Sequence, residues 1–561
     1  MEFDLDTDVL VLGSGACGLT AAVAAADAGA RVVVLERSDA IGGTSAVSGG
    51  IVWVPNNHLA PALGIADSRE QALAYLESLS LGVMDMELAT AFVDRAPEMV
   101  RFLEARTPLR FHIAENYPDY HPERPGGLAG GGRSLDPDMF SFAQLGEWAG
   151  RIRQARTDLH PQAPIQRFTL TEGLEKRVPP AEVLAARASR DERGLGEALV
   201  GALLRGCLDR GVDVRLGVRA RELVRAGRAV VGVRAEQGER DVLVRARAVV
   251  LATGGFEWNA ELVRAFLRGP LIGPASPPEL EGDGLLMAME AGAQLANMSE
   301  AWWMPTIPIP GDGVAGGKPL YRLCLAERTL PGSLIVNRRG KRFVNEAANY
   351  NDVGRAFHTF DPTHFSFANA EAWLVFDDTY YARYPLAGFS PRAPKPAGFL
   401  FSGASVEELA RAIEVDPDAL AATVARFNEF AAQGEDPDFQ RGRSVYDSYN
   451  GDRSRPRPFT TLGALTRAPF HAIKLVAGAL GTKGGAKTNT SAQVLDPRGR
   501  VIPGLYAVGN AMAGATGLVY GGAGGTLGPG MTYGYIAGCE AAKELSPASG
   551  RTRVSAACSL P

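Results

Sequence analysis

Between a short apolar strand and an alanine-rich helix the chain carries Gly13-Ser14-Gly15-Ala16-Cys17-Gly18, and a second apolar strand follows that ends on Glu36. A strand, turn, helix and strand closed within so short a stretch is the feature that most constrains the fold. Asp8 to Leu12 reads as the first strand, the helix runs to about Ala28 and is stopped by Gly29, and Arg31 to Leu35 supplies the second strand. Gly13 permits the tight turn, Gly15 lets the backbone approach a pyrophosphate, and Gly18 lets helix and strand pack closely. The free N–H groups at the helix start face the phosphates, and the helix dipole favours their charge. Glu36 lies 18 residues beyond Gly18, where a carboxylate accepts hydrogen bonds from ribose hydroxyls. Glycine fills 66 of 561 positions, so the spacing alone says little; its place between strand and helix carries the reading.

The segment that follows points to FAD rather than NAD. Gly42 and Gly43, just after the acidic strand end, let backbone N–H groups and the hydroxyls of Ser38, Thr44 and Ser45 wrap an extended pyrophosphate and flavin, with Arg37 alongside. Ser48, Gly49 and Gly50 prolong this run of small residues. Strands closing on Ala252-Thr253-Gly254-Gly255 and Gly509-Asn510 offer further close approaches, and Gly525, Thr526 and Leu527 lead into a final helix from about Gly528 to Leu545. Asp283, before a helix at 285, reads as its N-cap and as a further cofactor contact.

A chain of 561 residues exceeds one compact core. Residues 281–464 differ in kind from the apolar strands on either side of them. The expected fold is therefore α/β, with a Rossmann-type FAD-binding domain (1–280 and 465–561) interrupted by an inserted α+β catalytic or cap domain (281–464). A net charge of -5 gives no electrostatic argument for nucleic acid. Cys17, Cys207, Cys324, Cys539 and Cys558 are scattered without metal-ligand spacing, so no metal site or disulfide framework is expected. The acidic start is unlike a signal peptide, and no apolar run is long enough to span a membrane. The reading is cytoplasmic, with peripheral membrane association left open.

With these glycine-rich segments the chain resembles the flavoprotein family of fumarate reductase, succinate dehydrogenase and the 3-ketosteroid dehydrogenases. Covalently flavinylated members carry a histidine near the Ser45–Ser48 stretch; here none precedes His58, which implies non-covalent FAD. Within the family the chain resembles the 3-ketosteroid Δ1-dehydrogenases at separated motifs. These are Tyr117-Pro-Asp-Tyr120 with Pro125-Gly-Gly127, Ala326-Glu-Arg-Thr-Leu-Pro-Gly332, Asn345-Glu-Ala-Ala-Asn-Tyr350, Gly481-Thr-Lys-Gly-Gly485 and Tyr520-Gly-Gly-Ala-Gly524-Gly-Thr-Leu-Gly-Pro529.

The resemblance implies 1,2-dehydrogenation of a 3-oxo-4-ene steroid and places the catalytic groups at Tyr120, Tyr350, Tyr520 and Gly524, with Tyr117 the alternative to Tyr120. Tyr520 and the Gly524 N–H would hold the 3-oxygen as an oxyanion hole, each donor worth ~3 to 4 kcal/mol. Tyr350 would take the C2 proton, helped by Tyr120, and hydride would pass to the flavin. An electron acceptor of quinone type or similar is implied. Gly521 and Ala523 replace the family's prolines, which loosens this loop. Glu327-Arg328 reads as an ion pair and Asn345-Glu346 as a cap, while Trp302-Trp303 and Phe399-Leu400-Phe401 are expected to line a pocket or a core. The rival readings are a fumarate-reductase-like enzyme, a steroid dehydrogenase acting at C4–C5, and an electron-carrying flavoprotein without catalysis. The first meets Gly481 where the dicarboxylate-binding histidine of a His-Thr-Met-Gly-Gly stretch stands.

Overall fold

The structure is a computed structural model that describes residues 2–155, 165–174, 179–313 and 317–543. Its larger sheet runs in the order Gln493–Leu495, Val501–Ala507, Arg240–Leu251, Leu5–Leu12, Val32–Glu36, Asp213–Leu216. The hairpin of Val218–Ala226 and Ala229–Gln237 pairs antiparallel with Arg240–Leu251. The central strands are covered on both faces, which is why they read as unbroken apolar runs: Val9 to Leu12 and Val32 to Leu35 are all buried. Parallel register sets Leu12 beside both Leu35 and Leu251, and Leu251 beside Ala507. Strands from three distant stretches thus end along one edge, the place where open α/β sheets receive ligands.

The fingerprint folds as its glycines require. Gly13 adopts φ +108°, and a Cβ at Gly18 would lie 2.2 Å from the Gly13 carbonyl oxygen. The helix Ala16–Asp27 packs against the last helix, Leu527–Lys543, whose expected end at Leu545 lies outside the described residues. Small residues set the spacing of this pair: a Cβ at Gly534 would stand 2.4 Å from the Cys17 carbonyl oxygen, and one at Gly538 equally close to that of Ala21.

A second sheet of seven strands is built on the path Pro319–Leu323, Ala301–Gly313, Phe470–Thr482, Glu371–Asp377, Ser333–Asn337, with antiparallel neighbours. Its middle strand, Phe470–Thr482, falls on the nucleotide side of the expected boundary at 465, and Gly273–Pro274, which precedes 281, joins it too. The second sheet therefore reaches past both expected limits. A long apolar strand looks the same in sequence whichever sheet buries it.

Helix Tyr350–Ala356 lies on this sheet. The Asn349 side chain caps it, accepting from Asp352 N at 3.0 Å, and Gly354 allows close contact, since a Cβ there would come within 2.5 Å of Met304 N. Below it, buried Glu346 is paired with Arg342 at 2.8 Å and Arg441 at 3.1 Å, and these guanidiniums hold its carboxyl below the usual range against the opposing effect of burial. Glu346 is thus the centre of an ion cluster rather than a cap, while Asn345 does close a turn by accepting from Ala347 N at 2.9 Å. The expected Glu327–Arg328 pair does not form. Glu327 accepts from the backbone of Leu325 and Ala387, and Arg328 donates to the carbonyls of Cys324, Glu346 and Ala348. Among the described residues no helix is long and apolar enough to cross a membrane.

Candidate active site

A cavity of about 500 Å³ opens along the edge where the parallel strands end. One end is built from the segments expected to hold a dinucleotide: Gly13, Ser14, Gly15 and Cys17; Glu36, Arg37 and Ser38; Gly43, Thr44 and Ser45 with Ser48, Gly49 and Gly50. Ala252, Thr253 and Gly254, then Asp283, Gly509, Asn510, Thr526 and Leu527, complete it. Five residues expected to touch the cofactor do not line the cavity, because they are consumed in shaping it. Ala16 N–H donates to Ser45 Oγ at 3.1 Å and Gly42 N–H to Ser14 Oγ at 3.0 Å. Gly18 packs on Gly13, a Cβ at Gly255 would meet Thr482 Oγ1 at 2.2 Å, and one at Gly525 would meet the Tyr520 ring at 2.6 Å.

These groups fit FAD. Space over Gly15 is open, with the nearest atom to a built Cβ at 3.5 Å, so a phosphate can approach the backbone there. Thr44 Oγ1 is buried in the cradle without a hydrogen-bond partner, as expected of a group that awaits a ligand oxygen. Glu36 Oε2 accepts from Ser14 N at 3.0 Å and Ser14 Oγ at 2.7 Å, while Oε1, among the described residues, accepts only from Ser38 N, at 2.9 Å. A carboxylate oxygen can accept twice, so Oε1 keeps capacity for a ribose hydroxyl. Asp283 is not the N-cap; Gly282, at φ +84°, takes that position, and Asp283 opens the helix with its carboxylate held by Arg37 at 3.2 Å and Arg219 at 2.6 Å.

At the other end the three predicted tyrosines converge from different parts of the fold. Tyr120, Tyr350 and Tyr520 are buried, with ring centroids 5.5 Å (120 to 350), 5.2 Å (120 to 520) and 5.3 Å (350 to 520) apart. Tyr350 Oη donates to Tyr520 Oη at 2.7 Å, and Thr526 Oγ1 donates to the same oxygen at 3.2 Å. Tyr520 therefore accepts twice, which leaves its own proton available to a further acceptor. Burial pushes the phenols of Tyr120 and Tyr350 well above the usual tyrosine range and raises Tyr520 too. Tyr120 packs its ring edge-on to Tyr350, while Tyr117 stacks on Tyr449 at 4.6 Å. Tyr120 is thus the member next to Tyr350, with Tyr117 one step further out.

Gly524 also lines the cavity, and its N–H meets no acceptor among the described residues. Glycine is needed there because φ is +92° and a Cβ would stand 2.5 Å from Trp53 N. The loop around it is firmer than two lost prolines suggest. The Gly521 carbonyl accepts from Tyr120 N at 2.9 Å and Tyr75 Oη at 2.7 Å, and the Ala523 carbonyl accepts from Ser134 Oγ at 2.9 Å.

The walls near the tyrosines are apolar: Ile51, Leu170, Met304, Leu325, Leu480 and Ala523. Apart from Ala523, which lies inside a motif, sequence reading missed these residues and the pinning residue Tyr75, because isolated residues carry no motif. Trp302 packs its ring edge-on to Tyr520 at 4.9 Å, and Trp303 is buried with Nε1 donating to Glu300 at 3.2 Å. Phe399, Leu400 and Phe401 pack into the core of the second sheet and do not reach the cavity.

The sequence pattern of the FAD binding domain family matches residues 8–527. The chain is 44% identical over 542 residues to 4-oxocyclohexanecarboxylate 2-dehydrogenase of Sinomonas cyclohexanicum, covering 95% of this chain and 92% of that one. It is 38% identical over 568 residues to 3-oxosteroid 1-dehydrogenase of Mycobacterium tuberculosis, covering 96% and 98%. The crystal structure of 3-ketosteroid Δ1-dehydrogenase from Sterolibacterium denitrificans in complex with 1,4-androstadiene-3,17-dione superposes with a TM-score of 0.88 at 35% identity, covering 96% of this chain and 99% of that one. A nucleotide cradle of this construction, a matching family pattern and relatives aligned over nearly their whole length lead to one conclusion: the chain belongs to the FAD-binding flavoprotein oxidoreductases that include the 3-oxosteroid 1-dehydrogenases.

Proposed function

We propose that the protein removes hydrogens from C1 and C2 of 3-oxo steroids, converting a 3-oxo-4-ene to a 3-oxo-1,4-diene. The observation that carries this is the meeting of three buried tyrosines and the free Gly524 N–H at an apolar end of the cofactor cavity. Tyr520 and Gly524 hold the ketone oxygen and stabilise the negative charge that builds on it. Tyr350 receives the C2 proton, and Tyr120 relays it away. The apolar walls exclude water and strengthen these polar contacts. When bound, FAD supplies the hydride acceptor. We infer that it is held without a covalent bond, an inference supported by a cavity lined by no histidine among the described residues, and that its electrons leave to a quinone-type acceptor. The second sheet, with the helix that lies on it, contributes Met304 and Tyr350 to this end of the cavity.

A second reading follows from the 44% identical relative, whose printed substrate is a small cyclic ketone carrying a carboxylate. Both ketones need the same α-proton abstraction and hydride loss; only the carboxylate needs a cation. The cationic residues among the cavity's described lining are Arg37 and Arg153, and both lie at the nucleotide end, bound to Glu281, Asp283 and Glu279. The apolar walls favour the steroid. Anaerobic titration decides: androst-4-ene-3,17-dione should bleach the flavin and yield the 1,4-diene, while 4-oxocyclohexanecarboxylate and succinate should leave it oxidised. Bleaching by the cyclohexanone acid alone would overturn the steroid assignment and leave the tyrosine chemistry standing.

A further inference from the structure

Lys483 lies just beyond the strand Phe470–Thr482 and is 1% exposed. Its ammonium donates to the Val519 carbonyl at 2.7 Å and sits 4.0 Å from the ring centroid of Trp302. Among the described residues it forms no ion pair; the charges that act on it are Arg355 and Asp352, of opposite sign. A buried cation balanced only by one carbonyl and an aromatic face is costly, and such positions call for an anion. Burial accordingly pulls the Lys483 ammonium well below the usual lysine range.

The surroundings indicate where that anion arises. Lys483 borders a small cavity whose walls include Gly509, Asn510 and Thr526, and these three residues also line the large cavity. Lys483 and the cofactor cavity thus have this turn and helix start as common neighbours. Trp302, on which it rests, donates to Asn510 Oδ1 at 2.9 Å and packs against Tyr520.

We propose that Lys483 is a fixed counter-charge for the negative charge that the cofactor gains on accepting hydride. Hydride brings two electrons and one proton to a neutral acceptor, so one negative charge is added to the site; the C2 proton departs separately to Tyr350. Lys483 offsets that charge electrostatically and transfers no proton. The role follows from the bound FAD and holds whichever ketone is the substrate.

The competing role is mechanical, a pin for the segment from Gly514, whose N–H donates to the Lys483 carbonyl at 3.0 Å, to Val519. Lys483→Gln separates the two, because its amide still donates to Val519 but carries no charge. The midpoint potential of the substrate-free holoenzyme is measured by dye equilibration for wild type, Lys483→Gln and Lys483→Arg. The neutral variant should shift the reduction equilibrium at least tenfold towards the oxidised form, which is about 30 mV for a two-electron couple. Lys483→Arg should stay near wild type. An unchanged potential in Lys483→Gln with full flavin, or an equal fall in Lys483→Arg, overturns the proposal. If Lys483→Gln does not retain flavin, Lys483→Met is read by the same criteria.

Discussion

Replacing Tyr350 with phenylalanine deletes one oxygen from a side chain that is 8% exposed and leaves its ring in place. The lost hydrogen bond to Tyr520 amounts to about 1 kcal/mol. Tyr520 keeps Thr526 as a donor at 3.2 Å, so no buried acceptor is stranded. Ring contacts with Tyr120 and Tyr520 persist, and melting temperature and flavin content should stay near wild type. Catalysis should not. A positioned proton acceptor contributes about 10²- to 10⁴-fold, equivalent to roughly 3 to 5.5 kcal/mol of barrier. The loss should fall on kcat with little change in steroid binding. Anaerobic stopped-flow bleaching of the flavin by a 3-oxo-4-ene steroid measures it directly. Because burial holds the Tyr350 phenol well above its ordinary value, the wild-type rate should climb as pH rises from neutral to beyond about 10, and the variant should lose that slope. A Tyr350→Phe enzyme with full flavin and a wild-type rate would refute the assignment and send the search to Tyr120 and Tyr117.

Tyr520→Phe should lose activity only in part and bind steroid more weakly, since Gly524 still offers one donor; inactivity with unaltered binding would contradict that division. Tyr75→Phe removes one of two donors to the Gly521 carbonyl from outside the cavity lining, so kcat should fall several-fold with flavin retained, and an unchanged kcat would show the loop to be fixed without it. Glu36→Ala should lower FAD occupancy far more than turnover of the loaded fraction, because the carboxylate also ties Ser14 to Ser38; equal occupancy in both proteins would remove the ribose contact. Stability should decline at alkaline pH: Tyr117, Tyr120 and Tyr350 keep their protons in the fold at pH values where the unfolded chain loses them, so the contribution is full below pH ~10 and is lost above it. A melting temperature level between about pH 9 and 11 would exclude this.

What the sequence disclosed depended on how local each feature is. The nucleotide turn needs only neighbouring residues: Gly13 and Gly18 make the tight turn and the close packing that their spacing suggests, and Glu36 closes back on Ser14. The tyrosines stand far apart in the chain, and no periodicity connects 120, 350 and 520; the resemblance brought them together, and the fold places their rings in contact. Phe470–Thr482 follows the expected boundary at 465 and yet pairs within the second sheet, because burial, not sheet membership, is what an apolar run encodes. The expectation of a loose loop at Gly521 counted φ freedom and could not count hydrogen bonds from Tyr75, Tyr120 and Ser134, which depend on tertiary position. Likewise, adjacency of Glu327 and Arg328 suggested a pair, yet each side chain turns to partners elsewhere.

The packing of the Ala16–Asp27 helix against Leu527–Lys543, beside a sheet that joins early and late strands, bears on how the protein can be made and cut. The fingerprint emerges from the ribosome some 500 residues before the strand Val501–Ala507 and the helix that covers it, so an apolar face awaits its cover over that long stretch of synthesis. Such long-range closure makes folding slow and leaves the nascent chain prone to aggregation. An isolated fragment ending near residue 280 would keep every glycine of the motif and still lack Gly509, Asn510 and Thr526, and with them one wall of the cradle. Dinucleotide affinity is therefore a property of the complete chain, and domain exchange in this scaffold has to move the first and last segments as a pair.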